Sequence, residues 1–157
     1  MTRFVKNFTL GIGLMTALAF VSCDRGGGSV EDDKKFLTDN YFSGKKYKIL
    51  ARTIFYDKGY VLENYAINGC TSNNSIEFKK DGTGQEEEYK ELDKNCYSDV
   101  YKFLWKLDEN NQLVLSYNEL LYYSISRTEN DYLDLEGYED YDGDGKTELV
   151  KIELKRQ

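Results

Sequence analysis

From Tyr47 to the end of the chain, apolar and polar residues take turns. "KYKILARTIFY" places Tyr47, Ile49, Ala51, Thr53 and Phe55 on one face, and "SIEFKKDGTG" follows with Ile76 and Phe78 before an Asp81-Gly82 turn. Side chains of an extended strand point alternately to opposite faces, so a period of two marks strands with one buried side. "DVYKFLWKLDENNQLVLSYN" aligns Phe103, Trp105 and Leu107, turns through Asp108 to Asn111, and returns with Leu113, Leu115 and Tyr117. The pattern recurs in Leu121, Tyr123 and Ile125, a polar turn at Thr128 to Asn130, then Leu133 and Leu135, and ends with Val150, Ile152 and Leu154. These are about eight short strands joined mostly by tight turns. Strands of this kind hide their edges by curling into a closed barrel or a flattened sandwich, and meander connections favour the barrel. The expected fold is all-β: an antiparallel up-and-down barrel. "SVEDDKKFLTDNYF" ahead of it reads as one or two helical turns that lay Phe36, Leu37 and Tyr41 over one end. "GYVLENYAINGC" reads as an irregular strand or a lid-like excursion.

The first residues, "MTRFVKNFTLGIGLMTALAFVSC", carry Arg3 and Lys6, then run apolar from Phe8 to Val21 before a small residue and a cysteine. This is the layout of a secretory signal peptide, whose apolar centre is too short for a permanent membrane span. Phe20 to Cys23 resembles a bacterial lipobox, with Phe20 where leucine is usual. The resemblance implies that residues 1–22 are removed and that Cys23 is acylated; an ordinary secreted protein with a spare thiol is the other reading. "CDRGGGSVEDDKK" then reads as a flexible tether, and two acyl chains supply the two signals that make anchoring stable. The expected organisation is a signal at 1–22, a tether and helical lead-in at 23–43, and one barrel domain at 44–157. The expected location is the cell envelope, as an outer-membrane lipoprotein facing the periplasm or the exterior.

Removing residues 1–22 takes two of the 21 cations and none of the 28 anions, so the mature chain carries about −9. Phosphate binding needs clustered Lys and Arg, so nucleic acid is not an expected partner, and neither is an anionic lipid surface. The chain has no histidine. That removes the usual general base near neutral pH and the commonest metal ligand, and it disfavours triad hydrolases and zinc enzymes. No two carboxylates stand out as a catalytic pair, and no enzymatic activity is expected. Among the remaining sequence, "GQEEEYKELDKN" reads as a solvated charge run. Tyr97 with Tyr101, and Tyr122 with Tyr123, read as barrel core and girdle or as the lining of a cavity.

Cys70 and Cys96 sit in polar, turn-like surroundings of an exported chain, where oxidation to a disulfide is the natural outcome. A redox or metal-binding pair is the other reading, disfavoured by the lack of a C-x-x-C spacing. The order of these pieces resembles the small lipocalin-like lipoproteins of Bacteroidetes-type bacteria. The features that carry it are Gly44 before the first strand, a cysteine ahead of "SIEFKKDGTG", Cys96, "FLWKL", "QLVLSYN" and "YSISRTENDYLDL". The resemblance covers roughly residues 44–135 and implies a lipocalin-like meander barrel with a Cys70–Cys96 bridge.

The stretch "DYDGDGKTEL" has the spacing D-x-D-x-D-G-x-x-E. It departs from an EF-hand, which needs a glutamate where Lys151 stands, and resembles the calcium loop of integrin-type (FG-GAP) β-propeller repeats. Carried over, Asp140, Asp142 and Asp144 offer carboxylate oxygens, Lys146 its backbone carbonyl, and Glu148 the closing carboxylate within an acidic loop at 140–148. Calcium takes six to eight oxygens, so this donor set suits a structural calcium ion. A solvated hairpin turn is the other reading of the same residues. The expected function is a lipid-anchored, non-enzymatic binding module for a small apolar or aromatic ligand. The alternative is a protein-interaction module, an envelope inhibitor or immunity-type factor, that sets its acidic surface against a basic partner.

Overall fold

The computed structural model describes residues 29–56, 59–64 and 69–157. The signal segment, Cys23 and the first part of the tether lie outside the described residues. So does the middle of "GYVLENYAINGC".

Helix α1 (Val30–Leu37) opens the described chain. Ser29 caps it: its hydroxyl accepts from the Asp32 amide at 3.3 Å, while its own amide donates to the Asp32 carboxylate at 3.1 Å. This reciprocal box satisfies two orphan donors, and Glu31, Asp32 and Asp33 in the first turn suit the positive helix end. A wider turn over Thr38–Phe42 then delivers Phe42 into the core with no exposed surface. Leu37 and Tyr41 pack against the core as expected, whereas Phe36 lies in solvent at 57% exposure and Phe42 takes the covering role.

Nine strands follow: β1 (Lys45–Tyr56), β2 (Tyr60–Asn64), β3 (Ser75–Phe78), β4 (Thr83–Leu92), β5 (Asn95–Leu107), β6 (Leu113–Ser116), β7 (Leu120–Glu129), β8 (Tyr132–Glu139) and β9 (Glu148–Arg156). Each of β3 to β9 pairs antiparallel with the next, and β9 pairs back onto β1 from Tyr47 through Phe55. Eight strands therefore close an up-and-down barrel. The ninth, β2, lies outside the ring. It shares one edge of β1 with β3, which holds Lys45 to Lys48 while β2 holds Thr53 to Tyr56. The excursion expected over "GYVLENYAINGC" is thus in part a short strand. A 3-10 turn at Gly69–Asn73 follows, and Cys70 within it is bonded to Cys96 on β5. Among the described residues, no helix is long and apolar enough to cross a membrane.

The face assignment of β1 needs correction beyond Ile49. Ile49 pairs with Leu154, but Ala51 pairs with Glu153, so β1 carries one extra residue where β9 carries none. This is a β-bulge, and it exchanges the two faces of the strand beyond it. Arg52 and Ile54 face inward beside Ile152 and Val150, while Thr53 and Phe55 stand beside Lys151 and Leu149 on the outer wall. Ile54 accordingly has no exposed surface.

The barrel has a closed end and an open end. At the closed end Phe78 meets Phe42, Tyr47, Phe103 and Trp105 edge-on, with ring centroids 5.1 to 6.2 Å apart. The Trp105 indole donates to the Lys79 carbonyl at 3.0 Å, and Tyr47 donates to the Tyr41 carbonyl at 2.6 Å. Arg156 reaches across to the Asn40 carbonyl at 2.6 Å and lies 5.7 Å from the Tyr41 ring centre. Aliphatic side chains of Leu113, Leu115, Leu135 and Val150 continue the core toward the other end.

Phe78→Ala should cost ~3–5 kcal/mol in a chemical denaturation experiment, because a fully buried ring with four aromatic partners leaves a cavity that cannot collapse. Replacing Cys70 and Cys96 together by alanine should cost ~3–4 kcal/mol for a loop of this length, read from the same denaturation curves.

Candidate functional site

At the open end the inward residues change character. Going up β4, Gly84 is followed on the inner face by Glu86 and Glu88, opposite Tyr101 and Asp99 of β5. Beyond the bulge, β1 sends Arg52 between them. One guanidinium nitrogen lies 2.5 Å from Glu86 and the other 2.8 Å from Glu88. These side chains are nearly sealed, with 14% exposure for Arg52, 7% for Glu86 and 18% for Glu88. Burial works against the charge on Arg52, but the two carboxylates more than offset it and hold the guanidinium ionised. The second oxygen of Glu86 accepts from the Tyr117 hydroxyl at 3.0 Å. Across the mouth, Tyr123 on β7 donates to Glu139 at the end of β8. Burial pushes both tyrosine hydroxyls far up, and the adjoining carboxylates push the same way. Burial also raises the Glu139 carboxyl above the usual glutamate range, against the pull of Tyr123 and Arg52.

These groups enclose a pocket of about 290 Å³, walled by the Tyr101, Tyr117 and Tyr123 side chains and by Leu121, with Glu119 at its edge. That is near the lower limit of the ~300–1,000 Å³ usual for ligand sites.

The loop from Asp140 to Thr147 joins β8 to β9 at the same end. One oxygen each of Asp140, Asp142 and Glu148 lies within 4.8 Å of the other two, and Glu148 is buried while the aspartates are exposed. The fourth expected carboxylate, Asp144, turns away. It accepts from the Lys146 amide at 2.8 Å and ammonium at 3.2 Å, which holds its carboxyl below the usual range. Gly143 and Gly145 take φ of 75° and 86°, which lets the loop curl so that the Gly145 amide reaches Asp140 at 3.1 Å. Tyr56 at the end of β1 donates to Asp142 at 3.2 Å and ties the loop to the barrel. Glu148 pairs directly with Glu139 on the inner face, so the loop cluster and the mouth pocket adjoin.

Of the tyrosines read from sequence, Tyr123 is buried and Tyr101 exposed where they line the mouth, while Tyr97 and Tyr122 are exposed outside it. The stretch read as a solvated charge run is β4, and its Glu86 is buried. Strand parity offered a signal for Glu86 and Glu88, since both share the inner face with Gly84. Arg52 had none, because the bulge exchanges its face.

No family model matches the sequence, and no curated protein matches it. Solved structures similar in fold include a dog lipocalin allergen, at 16% identity over 72% of each chain with a TM-score of 0.42. A bovine odorant binding protein in complex with undecanal is similar at 12% identity over 71% of this chain and 70% of that one, TM-score 0.42. The possum milk whey lipocalin trichosurin, with bound 4-ethylphenol, gives 18% identity, 74% and 76% coverage and a TM-score of 0.42.

Because the native Glu139 carboxyl is raised above its unfolded value, the native state holds more protons than the unfolded chain across that interval. Stability conferred by the protonated form is therefore lost as pH rises from the ordinary glutamate value near ~4.3 through the raised one. Glu139→Gln should be the more stable protein above this window, and its advantage should disappear below it. Urea midpoints of the two proteins measured as a function of pH check the sign.

Proposed function

We propose that the chain is a lipid-anchored, non-enzymatic binding module of a bacterial cell envelope, whose barrel mouth takes a small ligand with an aromatic or apolar body. The observation that carries this reading is the asymmetry of the barrel. One end is plugged by Phe42 and its aromatic neighbours, and the other holds a pocket of about 290 Å³ walled by tyrosine rings. Tyrosine suits such a role because it combines a flat apolar face with a hydroxyl. Both oxygens of Glu86 are engaged, by Arg52 and by Tyr117, which suits a fixed recognition wall better than a general base. The anchor rests on the apolar run that ends at Cys23 and on the short glycine-rich stretch that separates it from α1. Mass spectrometry of the chain expressed in a Gram-negative host tests it: a diacylated or triacylated Cys23 N-terminus is expected, and Cys23→Ala should move the protein to the soluble fraction.

A structural calcium ion in the loop is a second element of this reading, supported by the convergence of Asp140, Asp142 and Glu148. All three donors are carboxylate oxygens, the ligand type a hard cation takes. Lys146 would add its carbonyl, and Asp144 would have to leave Lys146 to join. Calcium at 100 times its Kd should stabilise the fold by ~2.7 kcal/mol. Melting with calcium and with chelator measures this, and Asp140→Asn with Glu148→Gln should abolish the difference. An unchanged Tm together with no heat in calorimetric titration excludes the ion.

A further inference from the structure

We infer that the mouth pocket selects a small organic cation, a protonated amine on a single aromatic or apolar body, held among Glu88, Glu119 and Glu139 against the tyrosine rings. This rests on the reading of the mouth as a small-ligand site. The pocket is lined by one cation and four carboxylates: Arg52 against Glu86, Glu88, Glu119 and Glu139. The charge of Arg52 is already paired, since each of its two terminal nitrogens donates to a carboxylate, Glu88 and Glu86. An anionic ligand would therefore find no free guanidinium and a surplus of like charge. A neutral apolar ligand would leave that surplus uncompensated in a half-sealed site. Glu148, paired with Glu139 across the strands, adds to the same sign.

An ammonium group meets these conditions. It brings three donors for carboxylate oxygens and compensates the surplus charge. Tyr101, Tyr117 and Tyr123 line the same pocket, and an electron-rich ring attracts a cation. A metal ion fits less well here. Tyr117 and Tyr123 donate their protons to the carboxylates, and two carboxylates hold Arg52, so few oxygens remain to surround an ion. The volume limits the guest to about the size of one ring with a short chain.

The test uses the full chain in detergent at neutral pH, with calcium held constant, titrated calorimetrically with three probes of one shape. Tyramine ends in an ammonium, 4-ethylphenol in a methyl group, and 3-(4-hydroxyphenyl)propionate in a carboxylate. Tyramine should bind at least about tenfold tighter than 4-ethylphenol, and the propionate should not bind measurably. Glu139→Gln and Glu88→Gln, each checked for an intact melt, should narrow the tyramine to 4-ethylphenol ratio toward one. If 4-ethylphenol binds as tightly as tyramine, the amine inference is overturned and the small-ligand reading stands. Should none of the three bind, both readings fail together. Binding of hexalysine without tyramine would also overturn the inference, and would give the mouth to a basic protein segment.

Discussion

Strand β1 carries the closure of this molecule. β9 takes one of its edges almost from end to end, while β3 and β2 divide the other between them. A strand with both edges paired cannot recruit another chain, and a sheet that returns to its first strand closes the ring, so that open edge remains only beside it, on β2 and along the reach of β5 before Leu104 that β6 does not pair. The rest of the architecture follows from that ring. Inward side chains are forced into a common lumen, the lead-in helix needs only to cover one opening, and the other opening is where polar groups can be tolerated.

Charge is distributed along the barrel axis in keeping with this geometry. Near the plug, the polar atoms of Trp105 and Tyr47 are satisfied by backbone carbonyls, and the core is otherwise aromatic and aliphatic. Toward the opening, an arginine is held between two glutamates, and further carboxylates gather from β8 and the β8–β9 loop. Buried ion pairs seldom add net stability, since desolvation consumes most of the attraction. Here they sit in the mouth, beside a cavity rather than within the packed core, which accords with the proposed binding role. The disulfide fits the same division, because it ties the turn before β3 to the exposed reach of β5 at this end.

Much of the barrel was legible from alternation alone. Phe103, Trp105 and Leu107, Leu113 and Leu115, and Val150, Ile152 and Leu154 all face inward as their period of two requires. Simple strands with tight turns leave the sequence no freedom to hide that pattern. The mouth was far less legible, for two physical reasons. Strand parity puts Glu86 and Glu88 on one face with Gly84 but does not say which face is inward in so polar a strand, and only the pairing of β4 with β5 sets Glu86 beside Tyr101. Thr53 and Phe55 were placed on the face of Tyr47 and Ile49, where Arg52 and Ile54 stand instead, because a bulge is a fact of pairing between distant strands that no local residue type around Leu50 announces. The acidic loop was legible as a donor set, yet its spacing did not foretell that Asp144 would fold onto Lys146.

The extra residue in β1 also bears on how the interior of such a barrel could diversify. The same dozen residues encode two linings, one with Arg52 and Tyr56 turned inward and one with Thr53 and Phe55. Loss of a single codon near Leu50 would exchange them without altering any neighbouring strand. A charged vestibule and a more apolar one are then a frame's width apart in the genome, with no remodelled scaffold between them.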